Sequence, residues 1–123
     1  MKKFKVGEYV NMANPTPGQI YRPEILTNEH DAKDMGGMFG VLAPHSQVPY
    51  HYHEKRESII MAISGKATEV MNGEEFPFEE GDVIFIPAKM KHTTINRSDN
   101  EFRYLEFFTN PPVTNDFVEV KES

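Results

Sequence analysis

Apolar residues along the chain fall into short runs, either alternating with polar residues or continuous, over residues 36–42, 48–53, 58–64, 67–71, 75–78, 83–86, 92–96 and 102–108. Turn chemistry separates them: Ala43-Pro44-His45-Ser46, Gly65, Asn72-Gly73, Glu79-Glu80-Gly81-Asp82, Pro87 and Arg97-Ser98-Asp99-Asn100. Asn72-Gly73 between two such runs is a strong signal for a two-residue hairpin. No stretch keeps a helical period, so the pattern predicts an all-β sandwich or barrel. Ahead of residue 36 the pattern is weaker. Phe4 and Val6 alternate briefly, residues 14–18 are turn-rich, and residues 19–26 read as a strand interrupted by Pro23, which suits a sheet edge. Residues 30–34 read as a polar loop. At the other end, residues 116–121 bring Phe117, Val118 and Val120, as a segment pairing with a sheet edge or with a second subunit would.

Size narrows this to one domain, since 123 residues enclose a single core but not two. The expected division is 1–35 as N-terminal strands and turns packing on or swapping with the barrel, 36–110 as the barrel, and 111–123 as a tail or edge strand. A net charge of -6 with no basic run argues against nucleic acid and against an anionic membrane surface as partners. Met1-Lys2-Lys3-Phe4-Lys5-Val6 has no apolar run behind its lysines, and no stretch reaches membrane-spanning length. The expectation is a cytoplasmic protein. Cysteine is absent, so any metal must take nitrogen and oxygen ligands.

Such ligands occur in Pro49-Tyr50-His51-Tyr52-His53-Glu54-Lys55-Arg56-Glu57-Ser58. Residues i and i+2 of a strand share a face, so His51 and His53 can address one point while Tyr50 and Tyr52 turn away. His92, in a second segment with a fixed order of Gly81, Pro87, His92 and Asn96, is the candidate third ligand.

The two segments together resemble the two motifs of the cupins. The first is His51-x-His53 with an acidic residue after it and Gly65 beyond; the second runs from Gly81 to Asn96. The resemblance spans about residues 18–110 and implies an all-β, double-stranded β-helix, the cupin jelly-roll barrel. It also implies one divalent first-row transition metal (iron, zinc, manganese or nickel) and a homodimer joined through the N-terminal strand or the strand at 102–108.

Three positions depart from the family pattern. His45 and Lys89 stand where glycines are usual. The usual glutamate ligand is Glu57 when counted forward from His53, but Ser58 when counted back from Gly65. Adjacent strand residues face opposite sides, so the two counts exclude each other. The uninterrupted hairpin around Gly65 puts Ser58, Ile60 and Ala62 inside, and Glu57 then reaches the metal only through a bulge. Glu57 stays a candidate fourth ligand beside His51, His53 and His92.

Thr94 shares a face with His92, Asn96 serves the following turn, and Arg103 and Tyr104 lie on opposite faces, so at most one of them lines the cavity. Glu57, Tyr104 and Glu106 are candidate bases, and Arg22 a further ligand contact. The resemblance implies a metal-dependent enzyme acting on a small polar or anionic molecule, of dioxygenase, isomerase or epimerase, decarboxylase or lyase type. Fold alone does not choose among these. The alternative is a non-catalytic module that binds or senses a small ligand, with metal binding weak or lost.

Overall fold

The strands follow the alternation closely: β1 (Ile20–Tyr21), β2 (Glu24–Leu26), β3 (Gly36–Leu42), β4 (Ser46–Gln47), β5 (His51–Tyr52), β6 (Ser58–Ser64), β7 (Lys66–Met71), β8 (Glu74–Glu79), β9 (Val83–Ile86), β10 (His92–Asn96), β11 (Phe102–Phe108) and β12 (Val118–Glu119). The computed structural model describes residues 3, 5, 7, 20, 21, 24–112 and 115–121. Phe4, Val6, the 14–18 turn, Arg22 and Pro23 lie outside them. No helix among the described residues is long and apolar enough to cross a membrane.

Two antiparallel sheets form. One has the order β1-β3-β11-β6-β9 with β2 also on β3; the other has the order β12-β5-β10-β7-β8 with β4 also on β10. Their inner faces enclose a core that includes Leu42, Ile60, Phe78, Ile86 and Phe102. Phe39 and Val41, on the other side of β3, form a smaller cluster with Ile25, against which Ile63, Leu105 and Phe107 pack, and every residue of that strand is buried.

Backbone permissiveness matters at a few points. Gly65 has φ +90, and a Cβ there would come within 2.5 Å of Glu101 O. Asn72 and Gly73 both have positive φ (49° and 84°), as a two-residue hairpin of the primed type requires. Between β3 and β11, Tyr104 pairs with Gly40, Phe107 with Gly37 and Phe108 with Gly36. A Cβ on Gly40 would lie 2.1 Å from the Tyr104 ring, so the missing side chain is the space that ring occupies.

The register of β6 settles its inward face: Ser58, Ile60 and Ala62 are buried and Ile59 is exposed. β11 lies between β3 and β6 and so has no open edge, which removes the 102–108 strand as an edge for a second subunit. Exposed large apolar side chains sit instead on β6 and the edge strand β9, at Ile59, Val83 and Phe85. The C-terminal segment pairs with the chain's own sheet: Val118 opposes Tyr52, Glu119 opposes His51, and Val120 N donates to Tyr50 O.

Candidate metal centre

Strand pairing brings the three histidines together. His92, at the start of β10, is the cross-strand partner of His51 on β5, and His53 lies one residue past β5. Each is 5% exposed. One ligand atom from each lies within 4.8 Å of the others.

Each ring also has Nδ1 at a backbone carbonyl: His51 at Pro49 O (2.6 Å), His53 at Asp116 O (2.7 Å) and His92 at Met90 O (2.9 Å). A carbonyl only accepts, so Nδ1 carries the proton and donates it, which places the lone pair on Nε2. Burial holds His92 well below its ordinary 6.5, at about 4; the Met90 carbonyl opposes the shift and the neighbouring His53 adds to it. His92 is therefore neutral near pH 7, the form that coordinates metal. Three buried imidazoles with inward lone pairs fit a borderline divalent ion such as zinc, iron, manganese or nickel, and do not fit calcium or magnesium, which want oxygen.

Glu57 does not join the three. Its side chain is exposed, and its backbone is tied to Thr109, with Glu57 N donating to Thr109 Oγ1 and Thr109 N to Glu57 O. No bulge turns it inward. Ser58 takes the inward position, 3% exposed, with its hydroxyl making no hydrogen bond among the described residues.

The histidines border a cavity of about 30 Å³ that Thr94, Tyr104 and Glu106 also line. Of Arg103 and Tyr104, Tyr104 is the one that reaches it; Arg103 pairs with Glu101 at 3.3 Å. Behind Thr94 lies Glu69, wholly buried and cross-strand from it, with 2.6 Å between Thr94 Oγ1 and Glu69 Oε1. Burial pushes the Glu69 carboxyl up to about 8, the Thr94 hydroxyl pulls it down, and the charge of Glu106 pushes it further up. Arg56 also lines the cavity, 2% exposed, its guanidinium 4.3 Å above the Phe108 ring and donating to Pro112 O and Asn115 O. Phe117 also lines the cavity, its ring stacked on His51 at 4.3 Å and 18°.

Asp116, beside it, accepts from the backbone N–H groups of Glu54, Lys55 and Arg56. Burial alone would raise its carboxyl, but the N–H groups of Lys55, Glu54 and Arg56 and the Asn110 amide outweigh that and hold it at about 2.

Of the other singled-out residues, His45 is at the surface, 2.7 Å from Asp99 Oδ1 and away from the cavity. Asn96 serves its turn, accepting from Ser98 and donating to Leu42 O, Ala43 O and Asn100 O. Sequence reasoning missed Arg56 and Glu69. The available signal was parity: each is a charged residue in step with inward neighbours, Arg56 with Ser58 and Ile60, Glu69 with Ala67 and Met71.

A family model described as "Cupin domain" matches residues 38–108. Over 79 residues the chain is 32% identical to a glucose-6-phosphate isomerase from Thermococcus onnurineus, covering 58% of this chain and 41% of that one. Over 63 residues it is 29% identical to polyketide synthase CurC from Streptomyces cyaneus, covering 51% of this chain and 41% of that one. The match thus spans less than half the length of these curated relatives. A Klebsiella pneumoniae protein with a double-stranded β-helix domain superposes with a TM-score of 0.78 at 22% identity, covering 99% of each chain.

Proposed function

This chain belongs to the cupin family, and on that footing we propose that His51, His53 and His92 hold one divalent first-row transition metal in an enzyme acting on a small polar or anionic molecule. One observation carries the reading: three buried imidazoles converge with every Nδ1 set on a backbone carbonyl, an arrangement that reserves each Nε2 for a metal. A cation held there supplies Lewis acidity and acidifies bound water.

The chain's own residues supply the rest. Glu106 and Tyr104 line the cavity as groups able to accept or donate a proton, and Glu69 holds a proton one residue behind Thr94. Arg56 gives the wall positive charge, which suits an anion. Phe117 limits water access. Glu106 in the cavity wall, with Glu69 buried behind Thr94, favours proton-transfer chemistry, of isomerase, epimerase, decarboxylase or lyase type, over oxygen chemistry. The match to a glucose-6-phosphate isomerase supports that direction.

Elemental analysis of the protein as isolated tests the reading. Near one zinc, manganese, iron or nickel per chain is expected, lost in His51→Ala; negligible metal that does not change in that variant sinks it. Iron would move the chemistry toward dioxygen. A cavity of only about 30 Å³ favours the second reading, a module that senses a very small ligand without turning it over. A homodimer belongs to the same proposal, and sedimentation at the 14.1 kDa of one chain would remove it.

A further inference from the structure

Two of the three histidines are set by their own segments. His51 and His92 each donate Nδ1–H to the carbonyl two residues back, Pro49 O and Met90 O. His53 depends on a distant one, Asp116 O, 63 residues along the chain. That carbonyl is held in place by the same residue's side chain. Asp116 Oδ1 accepts from Glu54 N (2.8 Å), and Oδ2 accepts from Lys55 N (2.8 Å), Arg56 N (3.0 Å) and Asn110 Nδ2 (3.2 Å). Its φ is +59°, in the left-handed region. The next residue, Phe117, stacks on His51, and β12 then pairs along β5.

We propose that residues 115–120 are a working part of the metal centre: Asp116 is a positioning residue that fixes the tautomer and rotation of His53, and Phe117 is the cover that limits which ligands enter. This rests on the metal reading given above. Orienting partners of metal-bound histidines typically change affinity by about 10- to 100-fold when lost. Local carbonyls protect His51 and His92 from that loss, so its effect should fall on one ring of three. The cover sets size: the cavity left beneath Phe117, about 30 Å³, has room for roughly two waters, and anything larger must displace the ring. Two ladder residues and the Asp116 contacts are what such a ligand would have to loosen.

Long-range proton–nitrogen spectra of the metal-free, full-length protein separate the two tautomers ring by ring, and chelator competition gives zinc affinity. Asp116→Gly keeps the positive φ without strain and removes the carboxylate. It should mix the tautomers of His53 while leaving those of His51 and His92 unchanged, and weaken zinc binding about 10- to 100-fold. Asp116→Asn, which retains one acceptor oxygen, should restore most of both. Phe117→Ala should leave the His53 tautomer intact and speed zinc loss to the chelator. An unchanged His53 signal with unchanged affinity in Asp116→Gly overturns the proposal. So does a change in all three rings together, which would make the segment an element of the fold and not a setting for one ligand. If the wild type takes up no zinc, the metal reading fails, while the tautomer comparison still decides whether Asp116 sets His53.

Discussion

Glu69 is the residue whose surroundings conflict most with its charge. Its side chain is wholly buried, Oε1 meets Thr94 and Oε2 has no hydrogen-bond partner among the described residues. With a carboxyl raised from the ordinary 4.5 to about 8, the folded chain keeps a proton that the unfolded chain gives up. The stability this group allows is therefore complete below pH 4.5 and is lost as pH rises to 8. In metal-free protein, Glu69→Gln should melt higher than the wild type, by a margin that grows across that window to a ceiling on the order of 5 kcal/mol. Melting curves at pH 5 and pH 9 check this, and a margin independent of pH refutes it. Charged residues on inward faces were readable from strand parity, but parity does not say which neighbours they meet. Lys89 and His45 show the opposite case. Each stands where the resemblance to the family leads one to expect glycine, and each has positive φ, 69° and 56°, a conformation that glycine adopts freely and other residues rarely.

At the scale of elements, β6 decides what the first motif can be. Seven residues run from Ser58 to the turn at Gly65, and Gly65 is fixed there by its φ and by Glu101 O. The inward set is then Ser58, Ile60 and Ala62, and Glu57 falls on the solvent side. Glu57→Gln should accordingly leave metal content per chain unchanged and zinc affinity within about twofold, the range of an ordinary surface substitution. A large loss of metal in that variant would restore Glu57 as a ligand. Most strands were legible because period-two alternation and turn residues carry the information locally. The course of the C-terminal segment was not: its partner, β5, is two residues long and shows no pattern that names what lies beside it. Arg56 was missed for the same reason, since the carbonyls it donates to lie on a segment more than fifty residues away.

For the whole molecule, the three histidines join parts of the chain that are far apart in sequence. His51 opens β5 and His53 follows it, His92 opens β10, and Asp116 brings the C-terminal segment onto the same centre. A metal bound only by the folded chain must therefore stabilise the whole fold, by about 2.7 kcal/mol at a hundredfold excess over its dissociation constant. For a domain of this size that is a rise on the order of 10 °C in Tm. Zinc should produce it in the wild type and not in His51→Ala. Acid should act against it through His92, whose folded value of about 4 lies below the ordinary 6.5. In metal-free protein the stability from the neutral ring is complete above pH 6.5 and falls away as pH drops through 4, a loss on the order of 3 kcal/mol. Glu69 contributes the opposite slope between pH 4.5 and 8, so the comparison has to be made against His92→Asn, which keeps Glu69 and lacks the titrating ring. The wild type should lose ground to that variant steadily from pH 6.5 to 4, and parallel melting profiles over that range would show that His92 is not held neutral by its burial.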